Sequence, residues 1–195
     1  MNIHPVTLTG RVARLEPLAE AHVPDLTAAG QDENIWRYMP YGNISLETQM
    51  LALVRDLLER QARGTDLPFA VIHIADNCAV GMTRYMDIQH PHRGLEIGGT
   101  WYSPAYQRTA VNTECKYLLM RHAFETLSCI RVQLKTDLRN ERSQRAIERI
   151  GAQREGVLRQ SVIMPDGYKR SSVYYSVIDV EWPEVKAKLE AMLQK

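Results

Sequence analysis

The stretch WYSPAYQRTAVNTECKYLLMRHAFET, Trp101 to Thr126, decides how this chain folds. It opens as the end of a strand at Trp101 and Tyr102, is broken at Ser103 and Pro104, and passes through a short polar turn. Tyr117, Leu118, Met120, Ala123, Phe124 and Leu127 then recur at helical spacing. A strand therefore hands over to a helix inside QRTAVNTE, where Asn112 or Thr113 can cap and Glu114 falls in the first turn. The leading N–H groups of a helix lack partners inside it, and the summed peptide dipoles put partial positive charge there. A phosphate can be held at such a start largely by main chain, and Arg108 adds a full charge. Neither GxxxxGK(S/T) nor GxGxxG occurs in the chain, so a P-loop hydrolase and a Rossmann dehydrogenase are both unsupported.

Outward from this junction the periodicity gives the remaining elements. Upstream, Thr7 to Leu18 is a first strand with a turn glycine at Gly10, and Ala19 to Ala29 a short helix that Pro24 divides. Asn34 to Asn43 is a loop dense in aromatics. From Ser45, a capping residue, Leu46, Met50, Leu51, Val54, Leu57 and Leu58 mark an amphipathic helix that Gly64 ends. Leu67 to Ala75 and Val80 to Ile88 form a hairpin about Asp76 and Asn77, with Gly81 allowing a bulge, and Leu95 to Tyr102 is the next strand. Downstream, Ile130 to Thr136 is a strand and Asn140 to Ile150 a helix stopped at Gly151. Gln153 to Ile163 and Ser172 to Ile178 are strands joined across a turn at Asp166 and Gly167, and EWPEVKAKLEAML is a final helix with Pro183 in its first turn. The order predicts a mixed α/β domain over residues 1–195: about seven strands in a mostly antiparallel twisted sheet flanked by helices.

The chain resembles the GNAT superfamily of N-acetyltransferases. The family's coenzyme A loop reads Q/R-x-x-G-x-G/A, and the matching window here is Gln107, Arg108, Thr109, Ala110, Val111 and Asn112. Gln107 matches; Ala110 stands where the family has Gly, and Asn112 where it has Gly or Ala. The run from WYSPAYQRTAVNTE through HAFETLSCIRVQLKTDLRNERSQRAIERIGAQREGVLR is similar to the branch that contains the ribosomal-protein N-terminal acetyltransferases. The resemblance implies a splay between the fourth and fifth strands, where the pantetheine arm of acetyl-CoA lies. It also implies backbone amides near Thr100 to Tyr102, at Trp101 and Tyr102 above all, that polarise the thioester. Gln107 to Thr113 would hold the pyrophosphate, and dimeric relatives suggest a homodimer.

The 195 residues suffice for one domain with a proper core, and 45% hydrophobic with 24% charged residues is ordinary. A formal net charge of +1 gives no general pull toward nucleic acid or an anionic membrane. With no spanning apolar run and no leader-like pattern in Met1 to Gly10, a cytoplasmic location is expected. Cys78, Cys115 and Cys129 include no CxxC pair, which argues against a disulfide framework or a zinc site and for buried thiols; a nucleophilic cysteine paired with His122 or His73 is the alternative. His90 and His92 lack a third ligand, so no metal is expected.

Transfer from a thioester to an amine needs a held cofactor, a neutral amine, a stabilised oxyanion and a proton for the departing thiolate. Glu96, amid LEIGGTW, can act as the base; a surface salt bridge to Arg84 or Arg93 is the other reading. Asn140 suits an N-cap, and the resemblance adds a bond to pantetheine; Ser143, by resemblance, lies near the cofactor sulfur. Where many GNAT enzymes carry a tyrosine acid this chain has Ile147, so Ser143 assists the thiolate or no side chain does. Arg142, Arg145 and Arg149 share a helical stripe, either a solvated face or a contact to the ribose phosphate. Trp36, Tyr38 and Tyr41 either wall an acceptor site or pack the core. The expected activity is acetyl-CoA-dependent N-acetylation of a protein N-terminal amine or a small-molecule amine. The competing class is a coenzyme A-binding sensor or assembly protein without turnover; a nucleic-acid module lacks the basic cluster it needs.

Overall fold

The computed structural model describes residues 1–194. Its strands are β1 (Leu8–Thr9), β2 (Ala13–Pro17), β3 (Leu67–His73), β4 (Cys78–Gln89), β5 (Gly94–Tyr102), β6 (Arg131–Asp137), β7 (Gln153–Ile163) and β8 (Lys169–Ile178). Around them pack helices α1 (Val23–Ala29), α2 (Glu47–Ala62), α3 (Ala110–Arg121), α4 (Glu141–Arg149) and α5 (Trp182–Leu193). The strands form one sheet in the order β1-β2-β3-β4-β5-β6-β8-β7. Every neighbouring pair is antiparallel except β5 and β6. This is the expected mixed α/β architecture.

The sheet has eight strands rather than seven because Thr7 to Leu18 does not run straight. The amides of Arg11, Val12 and Ala13 all donate to the carboxylate of Glu114 at 2.7 Å, and Gly10 N donates to Ala13 O at 2.9 Å. A buried carboxylate that accepts three amides folds the segment into a β1–β2 hairpin. A Cβ at position 10 would collide with that carboxylate, so glycine is required there.

The buried run of β3 shows why the sheet is covered on both faces. Leu67, Phe69 and Val71 join one apolar cluster with Leu118, Leu119 and Trp182 of α3 and α5; Ala70 and Ile72 join another with Leu26, Met50 and Leu57 of α1 and α2. Alternate residues point to opposite faces, so the two clusters are the two sides of the sheet. Pro24 lies in the first turn of α1, just after a 3-10 turn at Glu20–His22, where it removes no helical hydrogen bond. Ser45 does not cap α2: Leu46 holds that position, and Gln49 Oε1 accepts from the amides of Ser45 and Leu46 at 3.1 and 3.0 Å. Trp182 is buried: it stacks on Phe124 at 5.3 Å and donates to Glu125 at 3.0 Å. The exposed apolar side chains of the last strands are Leu158 and Ile163 on β7.

Between β5 and β6 pairing is confined to Gly94 with Arg131, Leu95 with Val132 and Glu96 with Gln133. Beyond Glu96 the strands separate. The β4–β5 ladder slips between Met82 and Arg84, and in this irregular stretch Gly99 takes φ +59. A bulge bends and twists the strand that carries it, which turns the end of β5 away from β6. The splay implied by resemblance is therefore present, and it opens the site.

Candidate active site

The parted strands and the ends of α3 and α4 enclose a cleft of about 640 Å³, a volume suited to a cofactor-sized ligand. At one end the chain turns at Arg108, whose φ of +61 lies in the left-handed region, and enters α3. The cap is Thr109, not Asn112 or Thr113: its Oγ1 accepts from Val111 N at 3.3 Å and donates to Tyr106 O at 2.7 Å. Because the helix already begins at Ala110, Ala110 and Asn112 have helical rather than positive φ. Neither position needs the glycine found in the family loop. The amides of Ala110 and Asn112 belong to the first turn, where a helix offers them no internal acceptor.

Gln107 ties this start to its surroundings. Its Nε2 donates to Tyr102 O at 2.9 Å and its Oε1 accepts from Arg142 Nη1 at 2.8 Å, joining the end of β5 to α4. Arg108, Arg142, Arg145 and Arg149 all border this end of the cleft, so the arginine stripe of α4 faces the helix start and makes it electropositive. Val111 and Thr113 are buried behind the loop and do not line the cleft; Thr113 Oγ1 accepts from Arg149 Nη2 at 3.0 Å. Asn140 caps α4, its Oδ1 accepting from Ser143 N at 3.0 Å, and lies outside the cleft; Ser143 and Ile147 line it.

Along the middle of the cleft run Trp101 and Tyr102, both buried, with Trp101 Nε1 and Tyr102 Oη lacking hydrogen-bond partners among the described residues. Beside them lies a residue that the sequence reading misses. Lys116 is buried in the wall, its Nζ donating to Thr100 Oγ1 at 3.0 Å, which in turn bonds Thr83 Oγ1 at 2.8 Å. Burial pushes its ammonium down to about 8, against partial support from the Glu96 carboxylate. The signal available in the sequence is its spacing from Leu119 and Met120, one helical turn away on the inner face.

At the far end Glu96 is 1% exposed. Its Oε2 lies 3.0 Å from Lys135 Nζ and accepts from Gln133 Nε2 at 2.9 Å, both on β6. Neither anticipated partner reaches it: Arg84 pairs with Asp66 at 3.0 Å, and Arg93 is an exposed loop residue. Tyr38 and Tyr41 line the cleft. Trp36 does not; its Nε1 donates to Gly30 O at 2.8 Å and its ring packs 5.0 Å from that of Trp101, behind the wall. Burial pushes Cys115 up to about 12 and Cys129 to about 11, which leaves neither poised as a thiolate at neutral pH. Among the described residues no group of three or more metal-ligating side chains could hold a metal ion, and no helix is long and apolar enough to cross a membrane.

The profile of the acetyltransferase (GNAT) domain matches residues 13–153. A candidate acetyltransferase from T. thermophilus is 41% identical, with a TM-score of 0.90 over 99% of this chain and 100% of its own. The Bacillus subtilis (strain 168) protein YdaF, named a candidate ribosomal N-acetyltransferase, is 25% identical over 86% of this chain and 90% of its own. The Mycobacterium smegmatis RimJ structure in complex with CoA-disulfide shares the fold at a TM-score of 0.83, 19% identity, and coverage of 96% of this chain and 95% of its own.

Proposed function

The chain belongs to the GNAT acetyltransferase family, and from that membership we propose that it moves an acetyl group from acetyl-CoA directly to a primary amine, that of a protein N-terminus or of a small molecule. It is an N-acetyltransferase whose co-substrate is acetyl-CoA. The donor set fits that co-substrate: first-turn amides with Arg108, Arg142, Arg145 and Arg149 suit a pyrophosphate and a ribose phosphate, and the β5 edge released from β6 suits the amides of a pantetheine arm. When bound, it supplies an activated acetyl thioester. Ala110 and Asn112 at helical φ take away one ground for a non-catalytic coenzyme A-binding sensor, that replacing the loop glycines weakens cofactor binding; the other ground, Ile147 in place of a tyrosine acid, is answered only by turnover.

The observation that carries the proposal is the wedge itself, three paired residues long, with a capped helix start at one end and a buried carboxylate at the other. Main-chain N–H groups of the released β5 segment, near Thr100 to Tyr102, are donors for a developing oxyanion. Glu96 takes a proton from the incoming ammonium, directly or through water, while Gln133 and Lys135 fix its orientation. Ser143 Oγ is the hydroxyl on the cleft side of α4 that can give a proton to the departing thiolate, since Ile147 offers none. Tyr38 and Tyr41 wall the acceptor side, with Trp36 as backing.

Thiol release from acetyl-CoA, measured over a panel of amines and N-terminal peptides, tests this reading. Glu96→Gln should lower kcat about 100-fold or more with the KM for acetyl-CoA unchanged. An unaltered kcat removes Glu96 as the base, and no turnover by the parent enzyme on any acceptor refutes the proposal. The same reading extends to a cytoplasmic homodimer, for which light scattering would give about twice the 22.3 kDa chain mass.

A further inference from the structure

The acceptor end of the cleft carries more positive charge than its own carboxylates neutralise. Arg84 stands against Asp66 and Lys135 against Glu96, each at 3.0 Å. Asp137, fully buried, accepts from Arg139 through N, Nε and Nη2 at 2.8, 3.1 and 2.9 Å. Arg170 is left over. It is 7% exposed and lines the cleft, yet its nearest carboxylate oxygen, Asp137 Oδ2, is 4.0 Å away and already bonded to Arg139. Its Nη1 reaches only a main-chain carbonyl, Tyr38 O, at 3.2 Å, and its Nε has no partner among the described residues.

A buried guanidinium without a bonded carboxylate is expensive to maintain, and its planar fork matches a carboxylate better than any other small anion except phosphate. In the same cleft Glu96, its charge already matched by Lys135, is the group that takes the amine's proton, so a counter-charge on the acceptor has to meet Arg170. We infer that the acetyl acceptor is an amine that also carries a carboxylate, which docks on Arg170 while the amine approaches Glu96. The inference rests on the acetyl-transfer reading and narrows it: polyamines, which bring only positive charge, are poor acceptors here. Burial already holds Arg170 below the ordinary arginine value, a cost that a bound carboxylate relieves.

The carboxylate can be the α-carboxylate of a free amino acid or the acidic side chain of a peptide N-terminus. Matched pairs separate these sources: L-alanine against L-alaninamide, and Ser-Asp-Gly-Gly amide against Ser-Asn-Gly-Gly amide, with spermidine as the cationic control. In thiol-release assays the carboxylate member of at least one pair should lead in kcat/KM by about 30-fold or more. Arg170→Gln should erase that lead by lowering kcat/KM far more for the carboxylate member than for the neutral one, and Arg170→Lys should keep part of it. Equal rates within both pairs, a preference for spermidine, or an equal loss on both members in Arg170→Gln overturns the inference. The comparison within pairs needs only the parent enzyme, so a poorly folding variant does not shield the idea. Should the parent release no thiol at all, the acetyl-transfer reading fails separately. Calorimetry on the coenzyme A-loaded protein then decides docking: heat with the carboxylate member alone supports it, and no heat, or the same heat with the neutral member, ends it.

Discussion

Glu114 and Lys116 sit on the same stretch of α3, both buried, and act on stability in opposite directions. Glu114 is repaid by three amides from the β1–β2 hairpin, whereas Lys116 has one hydroxyl for its ammonium. With its folded value near 8 against 10.5 for a free lysine, the unfolded chain binds more protons between those limits, so stability rises with pH across that window. Below pH 8 the full cost of burying the charge, about 3 kcal/mol, is present, and above 10.5 it is gone. Lys116→Met should therefore be more stable than the parent at pH 7, with the difference shrinking as melts are repeated toward pH 10; a constant difference would show that the ammonium is not the source. The spacing of Lys116 marks the inner face, but the partners that set the sign of each effect are not legible in the sequence, because they are brought in from distant segments. Glu96 is legible as an acid among apolar neighbours, but not its partner, since Lys135 reaches it only through the β5–β6 pairing. Asn140 is the contrary case: a cap is a local device, and local spacing finds it.

At the scale of elements, periodicity recovers the helices and most strands, because burial of one face leaves its mark every second or every third and fourth residue. It misplaces what side chains from elsewhere decide: the split of the first strand by Glu114, and the start of α3, which Thr109 brings forward to Ala110. The parting of β5 from β6 enters only through family resemblance, since alternation within a strand is silent about when a neighbour departs. The bulge that bends β5 depends on Gly99, whose φ is +59 and whose Cβ position lies 3.2 Å from Arg84 Nε. Gly99→Ala should cost about 1–3 kcal/mol in chemical denaturation and lower kcat/KM, because the amides proposed to polarise the thioester shift with the bulge. If the variant denatures and turns over like the parent, the bulge has no part in setting the site.

For the whole molecule, the parallel seam runs through the middle of the sheet, with β1 to β4 on the outer side of β5 and β8 and β7 beyond β6. The apolar cluster under α3 and α5 takes residues from both sides of that seam, including Leu15, Val71, Val132 and Val173. Side-chain packing, rather than a continuous ladder, is what keeps the two halves in one body. Acetyl-CoA lying in the wedge would touch both halves, so it should raise Tm steadily with the logarithm of its concentration, reaching about 2.7 kcal/mol of added stability at a hundredfold excess over Kd. A melting curve indifferent to the cofactor would contradict that placement.

A ladder only three rungs long also has a bearing on exchange with solvent. Peptide groups just past Glu96 should swap hydrogen for deuterium sooner than those of β3, which has a strand on either side, and the cofactor should slow them selectively, acting as a splint laid along the open fork. The enzyme would then be stiffest where it is loaded, and its looseness at rest would be the means by which so long a molecule is admitted.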